Sequence, residues 1–282
     1  MLIFYTKIDL VSHLKSISNQ EKSIGFVPTM GALHEGHLSL MKEALLHNTV
    51  VVVSIFVNPT QFNNAEDLAK YPRTLEQDVE RIKTISDTII VFSPSIKDMY
   101  EGNAVSEHFD FDGLENQMEG KFRPGHFDGV GTIVKQLFEI VKPTNSYFGE
   151  KDFQQLQIIK KMVAKLKMPV KVIGCPIHRE PNGLAMSSRN ERLSEDDRKE
   201  AAIIYKTIQE SKLLFATKSA KEVTKFVAEK FKKNSKFELE YFQIADEKTL
   251  FPCIRKSKHK KYRAFIAVFV NNIRLIDTIS LN

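Results

Sequence analysis

The run Thr49-Val-Val-Val-Val-Ser-Ile-Phe-Val57 constrains the fold more than any other stretch. A half-buried strand alternates apolar and polar residues, and this one does not. A continuous β-branched run reads as a strand covered on both faces, the hallmark of a parallel sheet between helices. Asn58-Pro59 stops it. Shorter strands are read at Ile24–Pro28, Thr88–Phe92, Asn145–Gly149 and Val170–Gly174. Helical spacing appears over Leu38–Leu46, Thr74–Ile85, Phe127–Val141 and Asp152–Leu166, with Asp152 as an expected N-cap. Strands alternating with helices imply βαβ units, so the expected class is α/β with a Rossmann-like, doubly wound parallel sheet. Such sheets bind ligands beyond the carboxyl ends of their strands. The segments PTMGALHEGH, NPTQF, FGEKD and CPIHREPNGLAMSSRN all fall there.

After Asn190 the pattern changes. Ser194-Glu-Asp-Asp197 reads as a cap opening a helix to about Phe215, and a second helix covers Ala220–Lys232. Strands follow at Phe237–Ile244, Arg263–Val270 and Ile273–Ile276, the last two joined by an Asn271-Asn272 turn. This is a smaller C-terminal α+β domain. Residues 191–282 carry 20 lysines and arginines against 13 acids, whereas residues 1–190 carry 21 against 22. The net charge of +6 therefore lies in the last third. The expected division is 1–185 and 186–282.

Composition excludes several classes. Apolar and charged fractions of 42% and 27% suit a globular protein. No apolar run is long enough to cross a membrane, and the N-terminus lacks the features of a signal peptide. Cys175 and Cys253 have no metal or redox spacing, so a reducing cytoplasm is expected.

His34-Glu-Gly-His37 carries the chemistry. Two imidazoles three residues apart can ligate a metal, bind phosphate at a helix start, or simply face water. The helical zinc motif spaces its histidines four apart and lacks the glycine, which weighs against metal. A strand, a glycine turn and a helix start present free backbone N–H groups and a positive dipole end, which favours phosphate. No Walker A sequence is present, arguing against γ-phosphoryl transfer.

HEGH resembles the HIGH signature of the nucleotidyltransferase superfamily, and Met186-Ser-Ser-Arg-Asn190 resembles its KMSKS-like signature. The match narrows with PTMGALHEGH, SIFVNPTQF, YPRT, EGKFRPGHFDGV, FGEKDFQQ and GLAMSSRN in order from Phe26 to Leu193. Together they are similar to the pantothenate synthetase family. The resemblance implies a ligase that joins pantoate to β-alanine with ATP through a pantoyl-adenylate, releasing AMP and pyrophosphate. It implies an ATP strip over Met30, Gly31, Ala32, Leu33, His34, Glu35, Gly36 and His37. His37 is then the acid-like donor to phosphate and His34 its partner. Further ATP contacts fall on Gly149, Glu150, Lys151 and Asp152, on His178, and on Met186, Ser187, Ser188 and Arg189. Lys151 and Arg189 join the histidines as catalytic residues. Gln61 and Gln155 bind pantoate and β-alanine, with Asn58 and Arg123 beside them and His126 in the same segment. Mg²⁺ accompanies ATP, and Asp78 is expected to help hold it through water. The resemblance also implies a homodimer, with residues 186–282 acting as a lid.

Two features depart from the family. His178 replaces an aliphatic residue beside the adenine. Arg255–Arg263 holds six lysines and arginines in nine residues, read as a solvated hairpin loop or a phosphate-attracting rim. Two rival functions differ in class. One is a HIGH-motif nucleotidylyltransferase acting on a phosphate substrate, which has no need of Gln61 and Gln155. The other is a nucleic-acid binder, suggested by a pI near 9.1 but lacking any interleaved basic and aromatic motif. Neither nucleic acid nor membrane is expected as a partner.

Overall fold

The computed structural model describes residues 1–17 and 22–282. In chain order the first body contains β1 (Ile3–Phe4), α1 (Lys7–Ile17), β2 (Ile24–Thr29), α2 (Glu35–His47) and β3 (Val50–Ile55). It continues with α3 (Ala65–Lys70), α4 (Leu75–Lys83), β4 (Ile90–Phe92), α5 (Ile96–Tyr100) and α6 (Met118–Phe122). It ends with α7 (His126–Val141), β5 (Asn145–Gly149), α8 (Phe153–Lys165) and β6 (Lys171–Cys175). Then come α9 (Glu195–Glu200), α10 (Ala202–Thr217), α11 (Ala220–Lys232), β7 (Phe237–Asp246), β8 (Tyr262–Val270) and β9 (Ile273–Ser280).

The first six strands form one parallel sheet in the order β1-β4-β3-β2-β5-β6. The valine run explains its centre. Val52 packs with Phe26, Ile133 and Leu137 under α7, while Val51 and Val53 pack with Met41, Ala44 and Ile82 under α2 and α4. Successive side chains thus enter opposite cores, and each fully buried one contributes about 1.5–3 kcal/mol. After β4 the chain crosses to β5, on the other side of β2. The order of strands reverses between β2 and β5, which places a crevice at their carboxyl ends.

The antiparallel sheet β7-β8-β9 packs one face on α10 and α11, through Ile266, Val268, Val223 and Val227. Its other face meets the first body. Phe265 lies 6.0 Å from Phe153, and Arg263 stacks 3.9 Å over the Phe153 ring. A partly buried ion network strengthens that contact. Arg274 donates to both Glu119 oxygens at 2.7 and 2.8 Å and to Glu240, and the Tyr241 hydroxyl donates to Glu119 at 2.6 Å. Burial pushes the Glu119 carboxyl up, but the bonds from Arg274 outweigh it and hold its pKa below the ordinary range.

Several expectations need correction. The helix opened by Ser194 does not run to Phe215. Ser194 Oγ does accept from Asp197 N at 3.1 Å, but α9 ends at Glu200 and α10 starts at Ala202. Asp197 is tied to Lys236 and Asn271, whereas α10 must lie on the sheet, and the break at Ala201 serves both directions. Asp152 stands at the N-cap of α8 without capping it, because its carboxylate turns to Lys151 at 3.1 Å. The basic segment divides: Arg255 to Lys256 and Lys258 to Lys261 are exposed, but Arg263 is buried and bonded to Glu150 and Glu247. The Asn271-Asn272 turn is present, with φ of 46° and 64° as a tight hairpin requires. Elements α1, α3, α5 and α6 were not anticipated. The last three are too short for a helical period to show.

The ion network predicts unequal losses. Glu119→Ala removes the two-pronged partner of a partly buried guanidinium and leaves it Glu240 alone, and should cost about 2 kcal/mol in chemical denaturation. Glu240→Ala leaves the two-pronged Glu119 pair intact and should cost clearly less. Equal losses would contradict this account of the contact.

Candidate active site

The loop after β2 is the foundation of the site. Gly31 and Ala32 both have positive φ, 81° and 48°. Ala32 carries a steric penalty there, so something must hold it. Asp78 does so from α4. Its carboxylate accepts from Ala32 N at 3.0 Å, Leu33 N at 2.7 Å and Thr74 Oγ1 at 3.2 Å. Asp78 is 1% exposed, and burial raises its pKa against those stabilising bonds. Asp78, expected to help hold Mg²⁺ through water, has both oxygens engaged by the turn and does not line the cleft beside His34 and His37.

The turn delivers His34 to the N-terminus of α2. Gly36 N donates to His34 Nδ1 at 3.1 Å, and His34 N donates to His37 Nδ1 at 3.3 Å, a reciprocal cap. A backbone N–H can only donate, so each Nδ1 accepts and each ring carries its proton on Nε2. Gly36 is required because a Cβ there would lie 2.9 Å from two atoms of the His34 ring. Burial, then the charges of His37 and Lys151, pushes the His34 pKa down to about 2. Burial, then Lys151, pushes His37 down to about 4. His37, expected as the acid-like donor, is thus held as a neutral imidazole at pH 7 with its proton on Nε2.

A cleft of about 240 Å³ opens beside these rings. Met30, His34, Gly36 and His37 line one wall. Asn58 and Gln61 come from the loop after β3, and Gly149, Lys151, Asp152 and Gln155 from the end of β5 and the start of α8. His178, Met186, Ser187, Ser188 and Arg189 close the far side. Lys151, Asp152, Gln155, Ser187 and Arg189 also line an adjoining groove of about 770 Å³, where Arg123 lies. Gly31, Ala32, Leu33 and Glu35 do not line the cleft. The first three shape the turn, and Glu35 points to solvent. Glu150 faces Arg263 of the second sheet at 3.2 Å. A larger hollow of about 800 Å³ lies against α1 and carries none of the sequence-marked residues.

Arg123 does not pair with Asp128, which bonds His108 instead. It donates to the Gln61 carbonyl at 3.3 Å, and His126 Nδ1–H donates to the same oxygen at 2.8 Å. Both fix the Gln61 backbone. Gly129 permits the close approach, since a Cβ there would lie 2.4 Å from the Thr60 carbonyl. Burial, then Arg123, pushes His126 down to about 4.

The sequence reading missed three contributors. Tyr71 lines the cleft and bonds Ser188, although its YPRT context was noticed without a role. Val130, Ile133, Val134 and Leu137 of α7 give an apolar wall that looks like ordinary core in sequence. Asp67 pairs with Arg189 at 3.2 Å, from a helix no periodicity revealed.

The model for the family described as pantoate-beta-alanine ligase matches residues 3–280. The chain belongs to the pantoate–β-alanine ligase family. It is 66% identical to the pantothenate synthetase of Flavobacterium psychrophilum, covering all of both chains, and 55% identical to that of Christiangramia forsetii over the same share. The pantothenate synthetase of Thermus thermophilus superposes with a TM-score of 0.90 at 38% identity, covering 100% of this chain and 99% of that one. A Francisella tularensis pantoate-beta-alanine ligase, complexed with beta-gamma ATP and beta-alanine, gives 0.81 at 37%, covering 100% and 98%. This chain is therefore an ATP-using ligase of that family, condensing pantoate with β-alanine. The reading as a nucleotidylyltransferase of phosphate substrates finds no support among these relatives. No helix among the described residues is long and apolar enough to cross a membrane.

Three rings held neutral predict acid sensitivity. Their folded pKa values lie below the unfolded 6.5, so their contribution is complete above pH 6.5 and lost as pH falls toward 4 for His37 and His126 and toward 2 for His34. Each costs up to about 1.4 kcal/mol per pH unit in that window. Urea denaturation between pH 7.5 and 5 should show a steep loss, made shallower by His37→Asn. A flat wild-type profile would contradict the neutral-imidazole assignment.

Proposed function

We propose that this cleft activates pantoate as its acyl-adenylate and passes it to β-alanine. A pantoate carboxylate oxygen attacks the α-phosphorus of ATP, and the bond to pyrophosphate breaks. The β-alanine amine then attacks the acyl carbon, AMP leaves with the former carboxylate oxygen, and the amide forms. One observation carries this reading: two Nε2–H imidazoles, Lys151 and Arg189 share a cleft with the amides of Gln61 and Gln155. Phosphate-binding groups and uncharged organic-substrate groups stand together, and the substrate itself supplies the nucleophile.

His34 and His37 donate neutral hydrogen bonds to phosphate oxygens at a helix N-terminus, where charge builds up on the attacked phosphorus. Lys151 and Arg189 supply positive charge, and Ser187 and Ser188 supply hydroxyls for the leaving pyrophosphate. Met30 and Gly149 line the nucleotide path, with His178 and Met186 toward the adenine. Gln61 and Gln155, supported by Asn58, hold pantoate and β-alanine, because an amide serves both hydroxyl and carboxylate. The α7 wall suits the dimethyl centre of pantoate. Arg123 belongs to the adjoining groove and acts on this site through the Gln61 backbone.

Mg²⁺ fits as a companion of ATP. Such an ion is held mainly by phosphates and water, with one or two carboxylates from the protein. Asp152 is the one carboxylate on the cleft wall among the described residues and is the residue placed to approach it. Bound there, the ion would neutralise triphosphate charge.

We also assign a homodimer and a cytoplasmic location. Exposed Ile8 and Val105 flank the hollow against α1 and support a partner on that face, and free Cys175 and Cys253 support a reducing compartment. A monomer in sedimentation at micromolar concentration would overturn the first, and recovery in a secreted fraction the second.

AMP release should require ATP, pantoate and β-alanine together. His37→Ala should lower it about 10²–10³-fold, the scale of one lost transition-state donor. AMP release unchanged in that variant would remove the imidazoles from the mechanism.

A further inference from the structure

Gln61 presents an amide whose two ends differ in chemistry, so its orientation decides what it offers a substrate. Its Oε1 accepts from Asn58 Nδ2 at 3.2 Å, and its Nε2 donates to the Met30 sulfur at 2.7 Å. Sulfur is a weak acceptor, and a carboxylate or hydroxyl oxygen can take its place. A flipped amide would set the Gln61 NH₂ against the Asn58 NH₂, donor against donor.

Asn58 is itself fixed at both ends and is 1% exposed. Its Nδ2 also donates to the Gly129 carbonyl at 3.1 Å. Its Oδ1 accepts from the Tyr100 hydroxyl at 2.5 Å and from Thr60 Oγ1 at 3.1 Å. The Tyr100 bond is the shorter of the two. Tyr100 comes from the last residue of α5, outside every motif strip, and is 7% exposed. Its ring packs near Phe56 at 6.3 Å, and it does not line the cleft. Burial raises its pKa, so the phenol keeps the proton it donates.

We propose that Tyr100 is a positioning residue that locks Asn58, and through it the Gln61 amide, so that Nε2–H faces the organic substrate. The proposal rests on the reading that Gln61 contacts pantoate. Tyr100 does not line the cleft, and its effect is confined to recognition of the organic substrates that Gln61 holds, with pantoate as the one read out.

Steady-state kinetics on Tyr100→Phe, Gln61→Ala and the double variant tests this. Phenylalanine keeps the ring and deletes only the hydroxyl. Tyr100→Phe should raise the KM for pantoate about three- to tenfold, the scale of one hydrogen bond, and leave the KM for ATP within about twofold. In the Gln61→Ala background, Tyr100→Phe should add nothing. Thr60→Val, which deletes the longer bond to the same oxygen, should give the same pattern at smaller amplitude, and it serves alone should the phenylalanine variant not fold. A pantoate KM unchanged in Tyr100→Phe but raised in Gln61→Ala overturns the proposal and spares the site reading. Equal shifts for pantoate and ATP reduce Tyr100 to packing and overturn it too. If Gln61→Ala also leaves the pantoate KM unchanged, the site reading fails and takes the proposal with it.

Discussion

A single buried carboxylate supports the chemistry of this enzyme. Asp78 reaches from α4 to the turn after β2 and takes the N–H groups of Ala32 and Leu33. Without those bonds, Ala32 would have little reason to stay at positive φ. The turn then fixes His34, whose ring caps α2, and α2 fixes His37 through the reciprocal bond. Two imidazoles are thereby locked in one tautomer by backbone groups alone. The cost is a carboxylate kept out of water, and three donated hydrogen bonds offset it.

The electrostatics divide the work. The two rings at the helix start are neutral, so they offer hydrogen-bond donors to the cleft without adding charge. Lys151 and Arg189 bring the charge. Arg189 is restrained by Asp67, and Lys151 by Asp152, so each cation is paired within the protein. Across the cleft the proposed organic-substrate side is built from amides, with Gln61 oriented by a hydrogen-bond chain through Asn58. The second sheet completes the enclosure through Arg274 and Arg263, whose partners Glu119 and Glu150 belong to the first body.

Much of this was legible in the sequence because it depended on local pattern. The valine run pointed to the two-sided sheet, and the glycine- and proline-rich loops to its ligand-binding edge. HEGH marked a helix start whose two imidazoles line the cleft. The failures share a cause: they depend on distant partners. Asp78 looks like any acid in an amphipathic helix until its oxygens are seen on residues more than forty positions away. Arg263 looks like part of a solvated basic loop until β8 turns it inward onto Phe153. Tyr71, Asp67 and Tyr100 sit in or beside helices too short, or loops too irregular, to announce their direction. Protonation state is equally non-local, since burial is the largest cause at both His34 and His37 and Lys151, distant in sequence, acts on both.

Attack of the pantoate carboxylate on the α-phosphorus of ATP is the step to which every part of this cleft is assigned. Turnover of pantoate labelled with ¹⁸O in both carboxylate oxygens tests it directly. One labelled oxygen is expected in the phosphate of AMP and one in the pantothenate amide carbonyl. Label in pyrophosphate, or its absence from AMP, would place the activation at another phosphorus and contradict the mechanism assigned to this cleft.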